Sequence, residues 1–110
     1  MHAVIETRSY LRAAEDEGMT EEERNEAIDT VAKDPMAGDL IVGGGGCRKI
    51  RLAGKGRGKS GGYRVVTYFT AEDVPVFLVS VLSKGSRGNF SRAERNAMAI
   101  AAENLSEGLS

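Results

Sequence analysis

The sequence predicts an α+β fold: a small antiparallel sheet with two N-terminal helices and a C-terminal helix packed on one face. Three observations predict it. Two helical patterns with capping residues occupy positions 7–34, three strand patterns occupy 47–83, and a third capped helical pattern starts at Ser91. Strands grouped between helices, rather than alternating with them, favour α+β over a wound parallel sheet.

The elements follow in order. His2-Ala3-Val4-Ile5-Glu6 is a short apolar run that can form a strand. Thr7 can cap a helix that carries Tyr10, Leu11, Ala13 and Ala14 on one side, with Gly18 as its left-handed stop. Thr20 followed by Glu23 is a capping box, and Glu21, Glu22 and Glu23 sit at the positive end of the helix dipole. Capping accounts for these acids, so they read as solvated helix face. Ala27, Ile28, Val31 and Ala32 form the apolar stripe of this second helix, and Pro35 closes it after Asp34. Positions 38–46 read as a glycine-rich loop.

Cys47 to Ala53 alternates, Ile50 and Leu52 facing one way and Lys49 and Arg51 the other. Gly62 to Thr70 is rich in β-branched and aromatic residues, and Val74 to Ser83 is nearly continuous apolar, as in a central strand. Thr70-Ala71-Glu72-Asp73 is the turn of a hairpin between them. Ser91 and Glu94 form another capping box, and Ala97, Met98, Ala101, Ala102 and Leu105 recur at helical spacing. A chain of 110 residues is expected to be one domain, 1–110.

The formal net charge of −1 hides strong segregation. Residues 1–40 carry −7, residues 41–92 carry +8, and the tail carries −2. A basic face of this kind suits a polyanion, and an acidic flank orients its docking. The charge concentrates between Arg48 and Arg64, a stretch with seven cations, five glycines and no acid. No apolar run approaches the ~20 residues of a membrane span, and the N-terminus shows no secretory pattern. A single cysteine fits a reducing compartment, so the cytoplasm is the expected location.

Several chemistries are excluded. The one histidine, His2, and the one cysteine, Cys47, have no partners at zinc spacing, so neither a metal nor another cofactor is expected. A two-histidine ribonuclease site is impossible. Cys47 reads as a small residue at a strand start rather than a nucleophile. Ala53-Gly54-Lys55-Gly56-Arg57-Gly58-Lys59-Ser60 matches a nucleotide-binding loop with alanine at its first position. Such a loop must open a helix whose amides hold the phosphates, whereas Tyr63-Arg64-Val65-Val66 reads as a strand. What remains is a basic sheet surface. Arginine and lysine can bind RNA, or they can stabilise the phosphoryl charge that builds when a 2′-hydroxyl attacks phosphorus. Residue chemistry alone leaves nuclease and binder equally open.

Gly38-Asp39-Leu40, Gly46-Cys47-Arg48-Lys49-Ile50-Arg51 and Gly56-Arg57-Gly58-Lys59-Ser60-Gly61-Gly62-Tyr63-Arg64-Val65 together resemble the RelE/HigB-type toxins of bacterial toxin–antitoxin pairs. Ser83-Lys84-Gly85-Ser86-Arg87, then Asn89-Phe90-Ser91 and a helix, is similar to the family's closing segment. The resemblance implies a RelE-like fold and a metal-independent, ribosome-dependent messenger RNA endonuclease, with a cognate antitoxin and messenger RNA on the ribosome as partners. It implies Arg64 and Lys84 on the scissile phosphate, with Lys49 and Arg51 beside them. Arg48, Lys55, Arg57, Lys59, Tyr63 and Arg87 would contact RNA, with a core role for Tyr63 as the alternative. Leu52 and Leu82 stand where relatives often carry aromatics, and Gly85-Ser86 replaces Asn-Glu. The competing expectations are a noncatalytic nucleic-acid or ribosome-binding module and a gyrase poison on the same fold.

Overall fold

A computed structural model describes residues 2–53, 62–83 and 90–109. The order is β1 (Val4–Glu6), α1 (Arg8–Glu17), α2 (Glu21–Lys33), β2 (Asp39–Leu40), β3 (Arg48–Leu52), β4 (Tyr63–Tyr68), β5 (Val76–Ser83) and α3 (Arg92–Leu109). The α+β class is as expected. The strands form one five-stranded sheet in the order β1-β5-β4-β3-β2.

Local chemistry sets the helix ends. Thr7 Oγ1 accepts from the Tyr10 amide at 3.2 Å, and Gly18 stops α1 with φ 77°. The capping box of α2 is complete: Thr20 Oγ1 accepts from the Glu23 amide at 3.1 Å, and Glu23 Oε1 accepts from the Thr20 amide at 2.8 Å. Ser91 and Glu94 repeat the arrangement ahead of α3, at 3.1 and 2.7 Å.

Two expectations about the layers are corrected. The sheet is mixed, because β1 runs parallel to β5 while the other pairs are antiparallel. The helices also do not share a face. Tyr10, Ala14, Ala27 and Val31 of α1 and α2 pack on Ile50, Leu52, Tyr63, Val65, Val76 and Leu78. Met98 and Ala102 of α3, with Phe90 before it, pack on the opposite face against Val66, Tyr68, Phe77, Val79 and Leu82. All six residues of β4 are consequently buried. The apolar run of β5 already called for cover on both sides; periodicity alone does not say which helix supplies it.

Two further differences concern the loop and the acids. Positions 39 and 40 pair with β3, with Asp39 opposite Lys49, instead of lying in a loop. The close approach requires Gly38, which has φ +89° and would place a Cβ 2.1 Å from the Lys49 carbonyl oxygen. Gly45 plays a similar part where the loop crosses α3, since its Cβ would lie 2.7 Å from Ala99 Cα. Glu23 is no solvated acid: it is 1 % exposed.

Candidate nucleic-acid interface

Strand register assembles the cations. Arg51 stands opposite Arg64, and Lys49 stands opposite Val66. Alternation puts all four side chains on the face that α3 shares. β5 extends both rows, with Leu82 opposite Arg64 and Ser80 opposite Val66. One row therefore reads Arg51, Arg64, Leu82 and the next Lys49, Val66, Ser80, each passing from cation to groove across ~5 Å strand spacings.

The electrostatics of this arrangement are unusual. Two arginines directly opposite on adjacent strands repel each other. Arg64 is 8 % exposed, so part of the repulsion occurs in a partly desolvated setting. Arg51 is exposed and Lys49 half-buried, and neither forms an ion pair among the described residues. The three cations thus share one face of the sheet, with Asp39 opposite Lys49.

The remaining predicted site residues divide into three groups. Lys49, Arg51 and Arg64 come together. Arg48 does not join them: it shares the alternation of Ile50 and Leu52, and its guanidinium donates to the Gly38 carbonyl at 3.3 Å. Tyr63 also lies on the face away from Lys49, Arg51 and Arg64. It is 1 % exposed in the α1/α2 core, where its hydroxyl donates to Glu23 Oε1 at 3.3 Å. Burial and the Glu23 charge raise its pKa. Strand alternation carries both corrections in the sequence itself, because adjacent residues such as Tyr63 and Arg64 point to opposite faces. Lys55, Arg57, Lys59, Lys84 and Arg87 lie outside the described residues.

Supporting contacts hold the row in place. Glu17 Oε1 accepts from the Ser83 amide at 3.1 Å, tying the end of β5 to the last turn of α1. On the α3 side, the Tyr68 hydroxyl and Ser106 are hydrogen-bonded. Cys47 is fully buried, and burial pushes its thiol up to about 11, so it is no nucleophile at neutral pH. The strand Tyr63–Tyr68 occupies the place where a nucleotide-binding loop would need a helix. Among the described residues no cluster of three or more His, Cys, Asp or Glu could hold a metal ion, and no helix is long and apolar enough to cross a membrane. Sequence reasoning did not anticipate the groove beside the row, lined by Ser80, Leu82, Phe90 and α3 residues; its walls come from separate segments that only the fold brings together.

A family model described as the RelE toxin of the RelE/RelB toxin–antitoxin system matches residues 2–108. Among solved structures, a mutant of the E. coli toxin RelE in the free state is 24 % identical, with a TM-score of 0.54, over 91 % of this chain and 95 % of that one. This second likeness bears on the fold.

Proposed function

The chain belongs to the RelE toxin family, and on that premise we propose that it is a metal-independent messenger RNA endonuclease that acts on the ribosome in the cytoplasm and is neutralised by a cognate antitoxin. The observation that carries the reading is the cross-strand pair Arg51–Arg64. An anion lying across the two is attracted by both charges at once.

A phosphodiester supplies that anion. The 2′-hydroxyl oxygen attacks phosphorus, the bond to the 5′-oxygen breaks, and the products are a 2′,3′-cyclic phosphate and a 5′-hydroxyl. Charge rises on the phosphoryl oxygens during the step. The Arg64 guanidinium, planar and permanently charged, meets those oxygens, and Arg51 and Lys49 flank it. The proton leaves the 2′-hydroxyl and is returned to the 5′-oxygen; in this set only the lysines, Lys49 and Lys84, can carry it, because arginine cannot release one. Arg87 and the cations Lys55, Arg57 and Lys59 would hold the RNA backbone.

The test is expression in growing bacteria with mapping of messenger RNA ends. Codon-phased cuts are expected for the wild type and not for Arg64→Ala. Growth arrest with intact messages would sink the proposal, and DNA breaks in their place would point to gyrase.

A further inference from the structure

We propose that Asp39 is a further catalytic residue, whose carboxylate takes the proton from the 2′-hydroxyl that attacks phosphorus. The inference rests on the nuclease reading above and names the proton acceptor of that same site.

The charged cations cannot be that acceptor. An ammonium has three donors and a guanidinium five, and neither has a lone pair to offer. A carboxylate has about four lone-pair sites and no proton of its own. Across β2, β3, β4 and β5, Asp39 is the only acid.

Strand pairing puts this acid on the cation face. Asp39 stands opposite Lys49, and directly opposed residues of an antiparallel pair point to the same side. Opposed Cβ atoms lie ~5 Å apart and diagonal neighbours ~7–8 Å, so Asp39 is one step from Lys49 and one diagonal from Arg51. The glycine before it makes this approach possible. Gly38 has φ +89°, and a Cβ there would lie 2.1 Å from the Lys49 carbonyl oxygen. Arg48 holds the same turn by donating to the Gly38 carbonyl at 3.3 Å. A phosphate on Arg64 and Arg51 therefore has Leu82 on its β5 side, which accepts no proton, and a carboxylate on its β2 side.

The carboxylate is also available. Asp39 is exposed, and its side chain makes no hydrogen bond or ion pair among the described residues. Other acids near the sheet serve the fold. Glu6 pairs with Arg24, Glu17 accepts from the Ser83 amide, and Glu23 and Glu94 cap helices.

The step balances without another reactant. Asp39 takes the 2′-hydroxyl proton as that oxygen bonds to phosphorus. The bond to the 5′-oxygen breaks, and Lys49 gives that oxygen a proton. The carboxylic acid of Asp39 then passes its proton to the neutral Lys49 amine on the neighbouring strand, which restores both groups.

The test compares purified wild type, Asp39→Asn and Asp39→Glu on ribosomes programmed with a message, measuring binding and cutting rate separately. Asparagine keeps the shape and removes the base together with its negative charge. Asp39→Asn should bind at least as tightly as wild type, because a charge that repels RNA has left the basic face. It should cut about a hundredfold more slowly or worse, the usual range for a lost general base. Its melting temperature should match wild type, since the side chain is exposed. Asp39→Glu restores a carboxylate and should cut faster than Asp39→Asn. Cutting by Asp39→Asn at or above the wild-type rate makes Asp39 a mere surface charge and overturns the proposal. Binding and cutting lost together, with an early melt, make it a structural tie between β2 and β3 and overturn it as well. A wild type that binds and does not cut removes the nuclease reading, and this role with it; a cutting wild type beside an unimpaired Asp39→Asn removes this role alone.

Discussion

The Tyr63 hydroxyl donates to Glu23 Oε1 at 3.3 Å across 40 positions of sequence, joining the first residue of β4 to the first turn of α2. The same carboxylate oxygen caps α2 through the Thr20 amide. A residue read as a possible RNA contact and an acid read as solvated are thus one buried pair, set directly behind Arg64.

Tyr63→Phe keeps the ring and removes the donor. The loss is expected to cost about 1–3 kcal/mol, since hydrogen bonds to charged groups lie in that range. Urea denaturation measures it, and cleavage by the folded protein should be unchanged. Reduced cleavage at unchanged stability would put the tyrosine on RNA after all.

Arg64→Met separates function from folding. Methionine keeps an unbranched stem and deletes the charge opposite Arg51. Stability should change by no more than ~1 kcal/mol, the size of a cross-strand charge interaction. Cleavage should fall on the order of a hundredfold or more. Thermal melts and end mapping on the same samples decide it; a variant that melts early and still cuts would mean the arginine is structural.

Gly38→Ala and Gly108→Ala should move stability in opposite directions. At Gly38 the backbone is left-handed and a Cβ meets the Lys49 carbonyl at 2.1 Å, so a loss above ~2 kcal/mol is expected, with faster hydrogen exchange over residues 39–49. At Gly108 nothing lies within 4 Å and the residue is helical, so alanine should stabilise by roughly 0.5–1 kcal/mol. Equal effects at the two sites would contradict the close β2–β3 approach.

Alkali should unfold the protein through its buried phenols. Burial, then the Glu6 charge, raises Tyr10 from 10.0 to about 12, and Tyr63 is raised as well. Below pH 10 both states keep these protons, and the contribution is constant. Above it the unfolded chain loses protons first, the native state holds more, and stability falls as pH rises through about 12. Tyr10 accounts for roughly 3 kcal/mol of that loss. Urea midpoints between pH 8 and 11.5 should decline less steeply for Tyr10→Phe; an identical decline would assign the effect elsewhere.

Much of the fold and part of the site could be read in the sequence. Thr7, Gly18, the Thr20–Glu23 box and the Ser91–Glu94 box are where local chemistry requires them. Lys49 and Arg51 share a face because they are two residues apart on a strand. By the same rule Arg48 and Tyr63 could not both face the groove with their immediate neighbours Lys49 and Arg64. The groove itself was not legible, because Ser80, Leu82 and Phe90 become its walls only when α3 crosses β5.

By itself, the sequence determined the helix ends, the α+β class and the basic character of β3 and β4. Caps, alternation and charge act within a few residues, so they are present in any conformation that forms the elements. Tertiary structure alone decided that α3 covers the face opposite α1 and α2, that Glu23 is buried under Tyr63, and that Arg51 and Arg64 stand in one row. Each of those depends on which surfaces meet across distant segments, and a β-strand that is apolar on both sides is compatible with a helix on either.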